Sequence, residues 1–150
     1  MSVIYLVDDN ESYRSAIREV LEPLGHHVVE SGNGHEAIEI CEQVQPDLVI
    51  TDVLLPEQGG LQVLRELRER FPQVRIIVLS GSWLVQSPEF LTLLKALEIQ
   101  AMVRKPFRSI ALLNRIDEVL TPNGLPSKAH AKKAIAACLG PIDREPSHSF

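Results

Sequence analysis

The sequence predicts an α/β fold of the (βα)5 kind, a doubly wound, five-stranded parallel sheet with helices on both faces. Three observations predict it. Five short apolar runs recur along residues 2–120, helical-period apolar stripes lie between them, and capping or helix-stopping residues stand at the junctions. Such alternation returns the chain to the same sheet through right-handed crossovers, which makes neighbouring strands parallel.

The first run, Val3–Val7, is apolar at every position, as a strand covered on two sides should be. Asn10 is placed to cap a first helix with its stripe at Ala16, Ile17, Val20, Leu21 and Leu24, and Pro23 to Gly25 marks its end. The second run, Val28–Val29 with its neighbours, is the least apolar of the five. Gly32 and Gly34 then bracket a turn into a helix striped by Ala37, Ile38, Cys41 and Val44, and Pro46 keeps that helix out of the third run, Leu48–Thr51. A third helix follows on Leu61, Leu64, Leu67 and Phe71, and Pro72 stops it. The fourth run, Ile76–Leu79, leads to a stripe at Phe90, Leu93, Leu94 and Leu97. The fifth, Ala101–Val103, leads to one at Leu112, Leu113, Ile116, Val119 and Leu120.

Beyond Leu120 the pattern breaks at Thr121, Pro122, Asn123, Gly124 and Pro126. The chain thus divides into a domain over 2–120 and a Pro-containing tail over 121–150, helix-compatible near 127–139. The tail is too short to build its own core. A hydrophobic share of 45% against 23% charged residues fits a packed soluble domain. The domain carries 18 acidic against 11 basic residues, and the tail 2 against 4. An acidic body argues against nucleic acid as a direct partner, since phosphate binding needs concentrated positive charge. No apolar segment approaches the roughly 18 residues of a membrane span, and the N-terminus does not resemble a signal peptide, so a cytoplasmic protein without membrane insertion is expected. Cys41 and Cys138 read as small, buried or half-buried thiols. His26, His27, His35, His130 and His148 show no metal-ligand spacing.

In open parallel sheets, ligands bind at the carboxyl ends of the strands. Asp8 and Asp9 follow the first run, Asp52 the third, Ser80 the fourth and Lys105 the fifth. Singly, each has an ordinary explanation as a turn residue, a cap or a solvated charge. Together they crowd three carboxylates on one edge, which is costly unless a cation or protons neutralise them. Hard carboxylate oxygens suit Mg²⁺. A nearby ammonium and hydroxyl add a positive charge and a donor, a set suited to transfer of a phosphoryl group to a carboxylate.

The motifs Leu6-Val7-Asp8-Asp9-Asn10, Asp52-Val53-Leu54-Leu55-Pro56 with Gly60, Ile77-Val78-Leu79-Ser80-Gly81 and Val103-Arg104-Lys105-Pro106-Phe107 resemble the receiver domain of two-component response regulators, the CheY-like family. The likeness covers about residues 2–120. It implies a flavodoxin/CheY-like strand order, 2-1-3-4-5. It also implies Asp52 as phosphoacceptor and metal ligand, Asp9 as a direct Mg²⁺ ligand, Asp8 as a ligand largely through water, and the Leu54 carbonyl as a backbone ligand, with Mn²⁺ an acceptable substitute. Ser80 would hydrogen-bond a phosphoryl oxygen, and Lys105 would pair with Asp52 before modification and with phosphate after it. The Lys105-Pro106 peptide would be cis. The implied function is a stand-alone response regulator and not an enzyme in the ordinary sense. It would be charged by a histidine kinase or histidine phosphotransfer protein and would signal to a downstream protein through the face of helix 4, strand 5 and helix 5.

The sequence departs from the family at four places. Met102 stands where an aromatic switch residue is usual. Glu98 replaces a common glycine before the fifth strand, from which a different turn is expected. Leu54 and Ser82, two past Asp52 and Ser80, occupy positions that influence hydrolysis, and an apolar Leu54 points to a long-lived phosphoryl group. Trp83 is either a half-buried loop aromatic or an output contact. Two other functions remain open: a Mg²⁺-dependent phosphatase working through an aspartyl phosphate, and a degenerate receiver that only binds. The first is disfavoured because the Asp-x-Asp signature of haloacid-dehalogenase-type enzymes is missing from the first strand. The second is disfavoured because all five key positions are present.

Overall fold

A computed structural model of the chain describes residues 2–53, 60–81 and 87–121. Five parallel strands, β1 (Val3–Val7), β2 (His27–Ser31), β3 (Leu48–Asp52), β4 (Arg75–Ser80) and β5 (Ala101–Arg104), form one sheet in the order β2-β1-β3-β4-β5. The predicted fold and strand order hold. Between the strands lie α1 (Glu11–Leu21), α2 (Ala37–Val44), α3 (Gly60–Arg70) and α4 (Pro88–Ala96), and α5 (Ser109–Leu120) follows β5. The expected tail helix near 127–139 and Cys138 lie outside the described residues.

Strand alternation divides the core in two. Tyr5, Val7, Val49, Ile76, Val78 and Met102 pack against α2, α3 and α4 through Cys41, Leu64, Leu67, Phe90 and Leu94. Ile4, Leu6, Leu48, Ile50, Ile77, Leu79, Ala101 and Val103 pack against α1 and α5 through Ile17, Leu21, Leu112 and Ile116. This second parity positions the site. Continued one step, it runs Leu6 to Asp8, Ile50 to Asp52 and Val103 to Lys105.

Several boundaries fall differently from the sequence reading. Asp52 and Ser80, expected just after their strands, are the last residues of β3 and β4, because ladder bonds persist that far. Helix α1 stops at Leu21, and Leu24 belongs to a 3₁₀ turn over Glu22–Leu24 that contains Pro23 and ends on Gly25 at φ 92°. The cap itself is as expected, with Asn10 Oδ1 accepting from the N–H groups of Ser12 and Tyr13 at 2.9 and 3.2 Å.

The turn before β5 corrects the sequence reading. Glu98 does not impose a different turn; it adopts φ 55°, the left-handed conformation in which glycine is favoured. Ile99 N–H donates to the Leu94 carbonyl and Glu98 N–H to that of Lys95, both at 3.0 Å, which completes a Schellman closure of α4. Arg68 braces this turn from α3. Its guanidinium donates to the carbonyls of Leu97 at 2.7 Å and Glu98 at 3.2 Å, and to those of Phe71, Pro72 and Val74 below α3.

Candidate functional site

The ladder carries three chain ends to one point. Asp8 N–H donates to the Ser31 carbonyl, one step beyond the β1–β2 register, and Lys105 N–H donates to the Ser80 carbonyl at 2.8 Å, one step beyond β4–β5. Asp52 stands opposite Leu79 in the β3–β4 register. Asp8, Asp52 and Lys105 therefore emerge side by side, with Asp9 beside them in the turn before α1.

Asp8 is fully buried, Asp52 is 6% exposed and Asp9 faces solvent. One oxygen from each can be chosen so that all three lie within 4.8 Å of one another. Carboxylate oxygens are the hard donors Mg²⁺ takes, and three gathered this closely suit a cation that would draw them to the roughly 3–4 Å separations of octahedral ligands at about 2.1 Å. Lys105 Nζ donates to Asp8 Oδ2 at 2.6 Å and to Asp52 Oδ2 at 2.8 Å. The pairing with Asp52 is as expected; the shorter bond to Asp8 is not legible in the sequence. Asp8 Oδ1 also accepts from the Asn10 N–H at 2.9 Å.

Burial raises the Asp8 pKa, and the Asp52 charge adds to the rise. The bonds from Lys105 and Asn10 only partly offset it. Burial works against the Lys105 ammonium, but hydrogen bonds and charge from Asp52 and Asp8 outweigh it and hold its pKa above the usual lysine range. Burial is the largest influence on both groups; it prevails at Asp8, whereas at Lys105 the two carboxylates outweigh it.

Ser80 is fully buried at the end of β4, and its carbonyl is the anchor for the Lys105 backbone. The Lys105-Pro106 peptide is cis. Met102, the expected switch residue, is 5% exposed and lies in the core on the α2–α4 face, aligned with Val78 in the β4–β5 register. It is therefore remote in parity from Lys105, three residues on. Leu54, Ser82 and Trp83 lie outside the described residues.

Two neighbours escaped the sequence reading. The Tyr13 ring centroid is 4.4 Å from Lys105 Nζ, and the ring packs on Phe107 at 5.4 Å between centroids. Arg14 donates from Nη1 to the Asp8 carbonyl and from Nε to Glu30 Oε1 at 3.0 Å, tying the β1–α1 turn to β2. Gly32 leaves room for it, since a Cβ there would come within 3.3 Å of Arg14 Nη1. The only prior signal is the Asn10 cap, which starts α1 where residues 13 and 14 overhang the strand ends.

Compared with known families, residues 4–117 match the response regulator receiver domain. The chain belongs to that family. Receiver domains take phosphoryl groups from histidine kinases and act on downstream targets. The sequence is 31% identical over 118 residues to the chemotaxis protein CheY of Halobacterium salinarum, covering 79% of this chain and 96% of that one. The CheY4 structure of Vibrio cholerae superposes with a TM-score of 0.72 at 27% identity, covering 80% of this receiver chain and 99% of that one. The response regulator TrrA of Thermotoga maritima, solved in complex with Mg(2+)-BeF, gives 0.69 at 28%, covering 80% and 100%. Among the described residues of this receiver, no helix is long and apolar enough to cross a membrane.

Proposed function

We propose that this receiver domain is a phosphoacceptor switch in a two-component phosphorelay, with Asp52 as the acceptor. The observation that carries this reading is the Lys105 ammonium shared between Asp52 and Asp8, beside the three-carboxylate cluster. An Asp52 oxygen attacks the phosphorus of a phosphohistidine on a histidine kinase or phosphotransfer protein. A P–O bond forms as the P–N bond breaks, and the imidazole nitrogen leaves with the electron pair and takes a proton from solvent. Asp9 and Asp52 would hold Mg²⁺ directly, Asp8 through water, and Leu54 through its carbonyl. When bound, the cation neutralises charge on the transferred oxygens. Lys105 stays with those oxygens after transfer, and Ser80 donates to one of them.

The chain is then a switch and not an ordinary enzyme. The new charge redistributes the hydrogen bonds of Lys105 and Ser80 and alters the face of α4, β5 and α5, where a downstream protein binds in the cytoplasm. Output by protein contact is favoured over direct DNA binding by the acidic balance of residues 2–120, which lacks the concentrated positive charge that phosphate binding needs. With an apolar Leu54 unable to orient water, the phosphoryl group is long-lived; a half-time of seconds with Mg²⁺ overturns that part.

The test is incubation with acetyl phosphate and Mg²⁺, followed by mass analysis. One phosphoryl group on Asp52, lost in Asp52→Asn, supports the switch. Multiple-turnover hydrolysis of varied phosphate esters points to a phosphatase instead, and no labelling to a binding module.

A further inference from the structure

Lys105 is an unbranched side chain that must end at one point between two carboxylates. Asp52 and Asp8 supply two sides of that point, with Oδ2 atoms 2.8 and 2.6 Å from Nζ. The Tyr13 ring supplies a third, its centroid 4.4 Å from the ammonium, within the range at which an aromatic face attracts a cation. The ring is itself held from two directions. Asn10 Oδ1 fixes the Tyr13 backbone N–H in the first turn of α1, and Phe107 packs on the ring at a 41° tilt.

The three holds respond differently to a cation. Asp8 and Asp52 belong to the donor set that Mg²⁺ would share, so their grip on Lys105 weakens when their oxygens are drawn elsewhere. The ring is not a ligand for Mg²⁺, and its attraction for the ammonium remains.

We propose that Tyr13 is a positioning residue for phosphoryl transfer, its ring face keeping the Lys105 ammonium at the acceptor while Asp8 and Asp52 turn to the cation. This rests on the phosphoacceptor reading above. It places the effect of Tyr13 in the transfer rate and not in Mg²⁺ affinity, and it assigns the role to the ring and not to the hydroxyl.

The test compares the full chain with Tyr13→Phe and Tyr13→Leu. Leucine keeps apolar packing against Phe107 but has no aromatic face. In the metal-free wild type, the Lys105 ε-methylene resonance is expected upfield of the other lysines through the ring current, preserved with phenylalanine and lost with leucine. At saturating Mg²⁺ and acetyl phosphate, Tyr13→Leu should label about threefold to tenfold more slowly. Its Mg²⁺ dissociation constant should stay within about twofold of wild type, and Tyr13→Phe should restore the rate.

A leucine variant that labels at the wild-type rate overturns the proposal, and so does a phenylalanine variant as slow as leucine. Absence of the upfield shift in wild type overturns it without any variant, should Tyr13→Leu fail to fold. A wild-type protein that takes up no phosphoryl group overturns the phosphoacceptor reading and this proposal together. That result is distinct from equal rates in wild type and leucine variant, which removes only the role of Tyr13.

Discussion

Lys105 Nζ lies 2.6 Å from Asp8 Oδ2 and 2.8 Å from Asp52 Oδ2, so one ammonium answers two carboxylates delivered by different strands. Its side chain is 12% exposed, which places the pairing in a poorly hydrated setting. Removing one partner of a buried pair leaves uncompensated charge. Lys105→Met is expected to lose about 2–4 kcal/mol of stability in urea without Mg²⁺. Added Mg²⁺ should recover more stability in the variant than in wild type, because it replaces the missing positive charge. Because the Lys105 pKa is raised, its contribution is complete at neutral pH and fades only as pH rises through its folded pKa. Equal urea midpoints for wild type and variant at pH 7 would refute the bridge.

Asp9 and Asp8 should separate metal binding from folding. Asp9 is exposed, so Asp9→Asn is expected to leave metal-free stability within about 0.5 kcal/mol and to abolish most of the Mg²⁺-induced rise in melting temperature. Asp8 is buried with a raised pKa, which means that its ionised form is the unfavourable one in the folded state. Its favourable contribution is present while it is protonated and is lost as pH rises through the folded pKa. At pH 7 Asp8→Asn should therefore change the metal-free melting temperature by no more than roughly 2–4 °C, what about 1 kcal/mol gives at this size, because relief of the disfavoured charge is offset by an amide that replaces only one of the two accepting oxygens. Calorimetry with and without EDTA reads both variants.

Cys41 and Tyr5 predict an alkaline limit. Burial pushes the Cys41 thiol up to about 12 from 9.0, and burial likewise takes Tyr5 from 10.0 to about 12, against the bond from Ser31. Both stay neutral in the fold while the unfolded chain ionises. The stability they confer is complete below pH 9 and is lost progressively from pH 9 to 12. Cys41→Ala should be less stable at pH 7 through its lost packing, yet show a flatter decline between pH 9 and 10. Parallel urea-midpoint curves for the two proteins would contradict the thiol's part.

Glu98 holds a left-handed conformation at φ 55° with a Cβ that disfavours it. Glu98→Gly is expected to stabilise the protein by roughly 0.5–1 kcal/mol, the relief of the Cβ clash less the added freedom of the unfolded chain. The Arg68 bond to Glu98 is to its backbone carbonyl, so that brace survives the substitution, and only the charge attraction between the guanidinium and the Glu98 carboxylate is lost. A loss of stability in urea would mean that the glutamate side chain contributes more than its backbone costs.

The strands, the helix stripes and the Asn10 cap were determined by the sequence alone, since period and capping chemistry act within a few residues. The same holds for the arrival of Asp8, Asp9, Asp52 and Lys105 at one sheet edge, which follows once the strands are parallel. Only the tertiary structure decided what those groups do to one another. Asp8 and Lys105 are 97 residues apart, and no spacing reveals that the shorter bond of the ammonium goes to Asp8. The Tyr13 ring reaches Lys105 because α1 and α5 pack on one face of the sheet, beside the Lys105–Phe107 turn that leads into α5, whereas Met102, three residues before that lysine, is turned by strand parity into the opposite core. Glu98 keeps a glycine-like turn because the Schellman bonds of α4 and the Arg68 brace fix the backbone there, and those forces outweigh the local preference of a single residue.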